Sequence, residues 1–212
     1  MKKFMALLLV AGMTLSLTAC GGSTDTAKTD QADGKDTFTV GFDQDFPPFG
    51  YVGDDGEFTG FDIEMATECA ARMGKKIVLQ PIDWDAKDME LEAGTIDCIW
   101  NGFTMNGRED QYTWTDPYMD NSQVVVVKKD SGINTLADLA GKVVEVQKES
   151  AAETALNDEE HADLMASFAQ LLSVGEYNTA FMDLESGAVD AVAIDIGVAQ
   201  FQIEGKEDQY QI

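Results

Sequence analysis

Apolar residues recur along this chain at two periods, and the period changes roughly every dozen residues. Phe38–Phe42 alternates and then turns wholly apolar, which predicts a buried strand ending at Asp43. Gln44–Pro48 is expected to be irregular, because consecutive prolines bar a helix or an interior strand. Tyr51–Phe58 reads as a hairpin around Asp54-Asp55-Gly56. Ile63, Ala66, Ala70 and Met73 then fall at helical spacing, so Ile63–Met73 is a predicted helix, capped by Asp62 and stopped by Gly74. Strand Ile77–Ile82 follows, with Trp84 just past its end, then helix Lys87–Ala93 and strand Ile96–Trp100.

From Gln111 the chain loops through Tyr112, Trp114, Pro117 and Tyr118, aromatics expected to cover the core. Gln123–Lys128 holds four consecutive valines and is expected to be a strand buried on both faces, crossing between two halves. A short helix at Leu136–Leu139, strand Val143–Gln147 and helix Ser150–Leu156 come next, the last opened by a capping box of Ser150 and Glu153. The series ends with strand Ala169–Val174, helix Asn178–Ser186, strand Val189–Ile194 and helix Ile196–Gln202. Strands alternating with helices predict an α/β fold of mainly parallel sheets, covered on both faces by helices.

One segment occurs twice. Leu91-Glu92-Ala93-Gly94-Thr95-Ile96-Asp97-Cys98-Ile99 matches Leu184-Glu185-Ser186-Gly187-Ala188-Val189-Asp190-Ala191-Val192 term by term. A helix closed by a glycine and followed by a buried strand accounts for each position. Asn101, Thr104 and Arg108 follow the first copy and Asp195 follows the second, so each half presents polar groups beyond a strand end, where open α/β sheets bind ligands.

Composition changes the picture at the N-terminus. Met1–Ala19 has basic Lys2 and Lys3, an apolar run over Phe4–Leu17, and Leu17-Thr18-Ala19 before Cys20. That arrangement resembles the lipobox of bacterial lipoproteins and implies a signal peptide over 1–19 and a lipid, such as palmitate, on Cys20. Residues 20–36 contain no large apolar side chain after the cysteine and are expected to form a flexible tether. The formal charge is −25, and losing 1–19 would remove two lysines and no acid. Such acidity argues against nucleic acid or an anionic lipid surface as a partner. Three cysteines and one histidine, widely separated, offer no metal-ligand spacing. Cys69 and Cys98 are expected to be two small buried thiols, with a disulfide as the alternative.

Ordered motifs then carry a resemblance. Gly41-Phe42-Asp43, Phe46-Pro47-Pro48-Phe49, Gly60-Phe61-Asp62-Ile63, Gly102-Phe103-Thr104 with Arg108, Asp116-Pro117-Tyr118, Asp138-Leu139-Ala140-Gly141-Lys142-Val143, and Gly187 through Asp195 occur in the same order in another group. From about Phe38 to Phe201 the chain resembles the extracellular solute-binding proteins of polar amino acid ABC importers, family 3 type. The resemblance implies a two-lobed type II periplasmic-binding-protein fold, with lobe 1 over 37–124 and lobe 2 over 125–212. It implies a receptor, not an enzyme, that closes on a polar or basic amino acid and hands it to a membrane permease with its ATPase. It implies no cofactor and no metal. Relatives finish with a return to the first lobe, so the C-terminal part is expected to be missing.

A free amino acid presents a carboxylate and an ammonium on one carbon, and its receptor needs a fixed cation and a fixed anion. Arg108 matches the family's carboxylate-binding arginine, whose planar fork makes two charge-assisted hydrogen bonds. Thr104 matches a hydroxyl contact from the same turn, beside Asn101 and Gly102. Asp195 matches the aspartate that takes the ammonium; capping the following helix is its alternative role. Ser150 and Ala151 sit at a helix N-terminus that meets the carboxylate in relatives. Phe46 and Trp84 match aromatic walls, and Asp43 and Gln147 fall where relatives sort the far end of the side chain. Two departures stand out. The Thr104-to-Arg108 spacing is one residue short, and Lys148-Glu149 replaces the usual glycine-containing turn, which sets Glu149 near the expected carboxylate. A dehydratase on the same scaffold or a non-transporting sensor are the other classes; His161, the single histidine, lies in an acidic stretch without a Ser or Cys partner pattern.

Overall fold

Three sheets organise the chain in a computed structural model that describes residues 36–212. The expected signal segment 1–19, Cys20 and nearly all of the expected 20–36 tether lie outside the described residues. Strand β1 (Thr37–Phe42) leads into two short strands, β2 (Asp45–Phe46) and β3 (Gly50–Val52), and then β4 (Phe58–Thr59), which form a small antiparallel sheet in the order β2-β3-β4. The hairpin is as expected, but residues 44–48 are not wholly irregular, because Asp45 and Phe46 pair with Tyr51 and Gly50. Helix α1 (Phe61–Arg72) precedes β5 (Lys76–Pro81), a single 3-10 turn at Trp84–Ala86, α2 (Lys87–Ala93) and β6 (Cys98–Ile99). β1 pairs in parallel with β5 on one side and β6 on the other.

The helix start corrects one expectation. Gly60, not Asp62, occupies the N-cap, and no side chain caps it. Gly60 has φ 126°, and a Cβ there would stand 2.4 Å from the Phe49 carbonyl oxygen, so the tight passage from the hairpin into α1 requires glycine. Asp62 lies inside the first turn, fully buried. Gly94 and Gly187 close α2 and its counterpart in the left-handed conformation, as the internal repeat implies. The strand after Gly94 is shorter than Ile96–Trp100, since only Cys98 and Ile99 find partners on β1.

The second half begins with β7 (Gln123–Lys128), followed by a capping-box 3-10 turn at Leu136–Leu139, β8 (Val143–Gln147), α3 (Ala151–Asn157) and α4 (Ala162–Ser167). β9 (Gln170–Val174), α5 (Tyr177–Ser186), β10 (Ala191–Asp195), α6 (Ile196–Ile203) and β11 (Tyr210–Gln211) complete it. The sheet runs β11-β7-β10-β8-β9. β10, β8 and β9 are parallel, whereas β7 is antiparallel to both β10 and β11. The crossing strand therefore reverses direction in its sheet, and Gln123 lands opposite Asp195. Helix α4 and strand β11 carry too weak a pattern to be foreseen.

Core packing follows the strand pattern most closely in this half. All five residues of β10 are buried, with Val192 and Ile194 on one side of the sheet and Ala191 and Ala193 on the other. Fully burying a valine or isoleucine contributes roughly 1.5–3 kcal/mol, so this strand anchors the half. Cover on both faces does not extend to the first sheet, where β5 alternates exposed and half-buried positions and Val78 is exposed. Phe46 and Phe49 reach from the first half into the core around Tyr177, Ile194 and Val198. Residues 35–212 thereby form one compact unit. β7 straddles the expected boundary at 124/125 and belongs whole to the second sheet.

Candidate functional site

Four strand ends converge where the halves meet. β1 delivers Asp43, β6 delivers Trp100 and the Asn101-Gly102-Phe103-Thr104 turn, β8 delivers Gln147, and β10 delivers Asp195. A small cavity of about 10 Å³ lies between them. From the first half it is bordered by Phe46, Trp84, Asn101, Gly102, Phe103, Thr104 and Arg108, and from the second by Gln147, Ser150, Ala151 and Asp195. Ten of the eleven residues singled out in the sequence thus border one space, while Asp43 sits behind Gln147. Room for about one water at most means that the facing polar groups are largely bonded to one another.

Arg108 is nearly buried and reaches across the junction despite the short spacing from Thr104. Its Nη2 donates to the Glu149 carbonyl at 2.9 Å and to Thr154 Oγ1 at 3.3 Å, and its Nη1 donates to the Thr104 carbonyl at 3.4 Å. The guanidinium lies 5.2 Å from the centre of the Phe103 ring. Phe103 in turn packs edge-on against Trp84 and Tyr112. The aromatic group turns one face of the arginine toward apolar surface, which leaves its donors to point along the cleft.

Asp195 holds the opposite end. Its Oδ1 accepts from Gln123 Nε2 at 2.8 Å and from Asn121 Nδ2, and its side chain makes no cap on α6. Burial raises its carboxyl above the usual range, opposed by the two amide donors and by Arg108. Asn121 also donates to Thr104 Oγ1 at 3.1 Å, which ties the two polar ends together. Neither Asn121 nor Gln123 was foreseen, since both become visible only once β7 is antiparallel to β10.

Asp43 and Gln147 meet directly across the junction. Gln147 Nε2 donates to Asp43 Oδ2 at 2.6 Å and to the Gly175 carbonyl at 2.9 Å. Asp43 Oδ1 accepts from the Asp45 amide at 2.8 Å, and the Asp43 amide donates to Asn101 Oδ1 at 3.2 Å. Burial pushes the Asp43 carboxyl up to about 6, against the Asp45 and Gln147 hydrogen bonds. Beneath the Asn101 turn, Tyr118 donates to Asp62 Oδ1 at 2.8 Å and to the Asn101 carbonyl at 3.3 Å. Asp62 is likewise pushed up to about 6 by burial.

The turn before α3 carries the second departure from the motif. Ser150 caps the helix, its Oγ accepting from the Glu153 amide at 3.1 Å. The box is displaced by one residue, because the Glu153 carboxylate takes the Glu149 amide at 2.6 Å rather than that of Ser150. Glu149 adopts φ 58° and points its carboxylate at Lys87 of the first half, 2.6 Å away. Lys148 pairs with Asp85 at 2.7 Å, so the turn and the facing α2 region exchange opposite charges in both directions. Lys87 also lies 5.3 Å from the Trp84 ring centre.

Cys69 and Cys98 are free, half-buried thiols, and burial pushes Cys98 up to about 12. Among the described residues no cluster of three or more His, Cys, Asp or Glu could hold a metal ion, and no helix is long and apolar enough to cross a membrane.

Comparison with known proteins gives this geometry a context. A family model described as bacterial extracellular solute-binding proteins, family 3, matches residues 38–181. The arginine-binding extracellular protein ArtP of Bacillus subtilis (strain 168) is 30% identical over 210 residues, 98% of this chain and 78% of that protein. The L-cystine-binding protein TcyJ of Escherichia coli (strain K12) is 31% identical over 194 residues, covering 90% of this chain and 69% of TcyJ. Among solved structures, a histidine-bound substrate-binding protein of an ABC uptake transporter from Streptococcus pneumoniae superposes with a TM-score of 0.78 at 35% identity, covering 83% of this chain and 73% of that one. An ancestral arginine-binding protein bound to arginine gives 0.75 at 35% identity, over 84% of this chain and 78% of its own.

Proposed function

The chain belongs to the bacterial extracellular solute-binding proteins of family 3, and we propose that it captures a polar or basic amino acid for an ABC importer. The observation that carries the reading is the meeting of Arg108 and Asp195 from opposite halves on one cavity at the strand ends. Arg108 grips the ligand carboxylate, with Thr104 and the α3 N-terminus at Ser150 and Ala151 adding donors. Asp195 takes the ammonium. Phe46 and Trp84 flank the side chain, and Asp43 with Gln147 meets its far end, where a buried carboxylate favours a cationic or amide group. Asn101 and Gly102 shape the floor of the first lobe.

The lobes divide just before β7, at Gln123 rather than between 124 and 125, and close on the ligand as a hinge. Cys20 carries the lipid that holds the receptor on the outer face of the cytoplasmic membrane, where a permease and ATPase take the cargo. Support for closure comes from four cross-junction bonds, Asp43–Gln147, Lys87–Glu149, Lys148–Asp85 and Asn178–Asp45, all between 2.6 and 2.7 Å.

Calorimetric titration of the mature protein against the amino acids tests the assignment. Arg108→Ala should weaken binding by about 2–5 kcal/mol, since it leaves a buried carboxylate without its partner. Undiminished binding by that variant would overturn the carboxylate role, and silence of the native protein toward every amino acid would overturn the function.

A further inference from the structure

Tyr177 opens α5 and has no exposed surface at all. Its ring belongs to the core of the second half and stands 6.0 Å from that of Phe46. The hydroxyl, however, does not end in apolar packing. The Ser150 side chain and the Gln147 backbone approach it closely enough to favour its ionised form, and the Asp195 and Asp43 charges oppose that, yet no group stands in full hydrogen-bonding geometry to the hydroxyl. Phe46, Gln147, Ser150 and Asp195 all border the cavity, so the phenol stands one layer behind the wall. Burial, followed by the Asp195 charge, drives its pKa strongly upward, and the hydroxyl stays protonated as a donor.

A buried hydroxyl without a partner is costly, and a site that tolerates it needs a reason. Phenylalanine would fill the same space without that cost. We propose that Tyr177 is a positioning residue of the binding site, whose hydroxyl bonds to the Ser150–Gln147 turn and the Asp195 carboxylate when an amino acid ligand spreads the wall. The ligand-bound state then gains a hydrogen bond that the closed, ligand-free state lacks. Binding, but not folding, depends on the hydroxyl. The inference rests on the amino acid-binding reading and places one more residue behind the ammonium end.

The test is Tyr177→Phe, titrated with the amino acid that binds the native protein, beside Arg108→Ala as a control. The expected result is affinity at least tenfold weaker, with a ligand-free melting temperature equal to or above the native value. The ligand-induced tyrosine difference spectrum should shrink in step. Binding within twofold of native overturns the proposal, and so does a lower ligand-free melting temperature, which would make the hydroxyl structural. If Arg108→Ala loses binding while Tyr177→Phe does not, only the role of Tyr177 fails. If Tyr177→Phe loses binding and Arg108→Ala does not, the carboxylate assignment fails and the role of Tyr177 stands. A native protein that binds no amino acid overturns both.

Discussion

Replacing Glu149 by glutamine should destabilise the protein more than replacing Lys87 by methionine, although both break the same ion pair. Lys87 has 3% of its side chain exposed, whereas Glu149 has 46%. Removing the carboxylate strands a buried ammonium, and breaking a buried pair from one side costs about 3–5 kcal/mol. Water reaches the Glu149 side and the Trp84 face remains, so the expected loss is about 2 kcal/mol. Removing the lysine strands only a half-exposed carboxylate, which water solvates, and the expected loss is under about 1 kcal/mol. Urea unfolding at constant m gives both values, and the double variant should fall near Lys87→Met rather than at the sum. The outer pair, Lys148–Asp85, has exposures of 55% and 35% and should respond mainly to salt, since the screening length falls to about 3 Å at 1 M. Equal losses for the two single variants, or the reverse order, would refute the burial argument.

Two further effects follow from single groups. Asp43 is raised from 3.8 to about 6 in the folded protein, so it contributes stability below pH 3.8 that is lost as pH rises through 6. Asp43→Asn should therefore gain stability relative to the native protein between those values, which urea midpoints at three pH values will check. Gly60→Ala forces a Cβ to 2.4 Å from the Phe49 carbonyl at a φ of 126°, and a loss of more than about 2 kcal/mol is expected in thermal melts.

The sequence carries the strands and helices of the second half closely, because β8 and β10 are buried apolar runs and α5 buries Tyr177, Ala180 and Leu184 at helical spacing. It carries the positions of Gln147 and Asp195 because each closes a strand, and that of Arg108 through the motif that begins at Gly102-Phe103-Thr104. The direction of β7 was hidden, since a valine run reads the same along either direction, and with it went Asn121 and Gln123. Asp62 has the sequence position of a cap, but its burial under Tyr118 is a tertiary fact. The contact of Glu149 with Lys87 spans 62 positions and obeys no local rule.

The Arg108 fork that would clasp a ligand already holds the Glu149 carbonyl and Thr154. A carboxylate arriving at this site must therefore compete with the protein's own oxygen atoms. If ten closed molecules stood for each open one, the observed affinity would fall by about tenfold below the intrinsic value. Capture would then be paced by the opening rate, and observed association rates would level off as ligand concentration rises. The receptor sets its working concentration range by how firmly it imitates its own cargo.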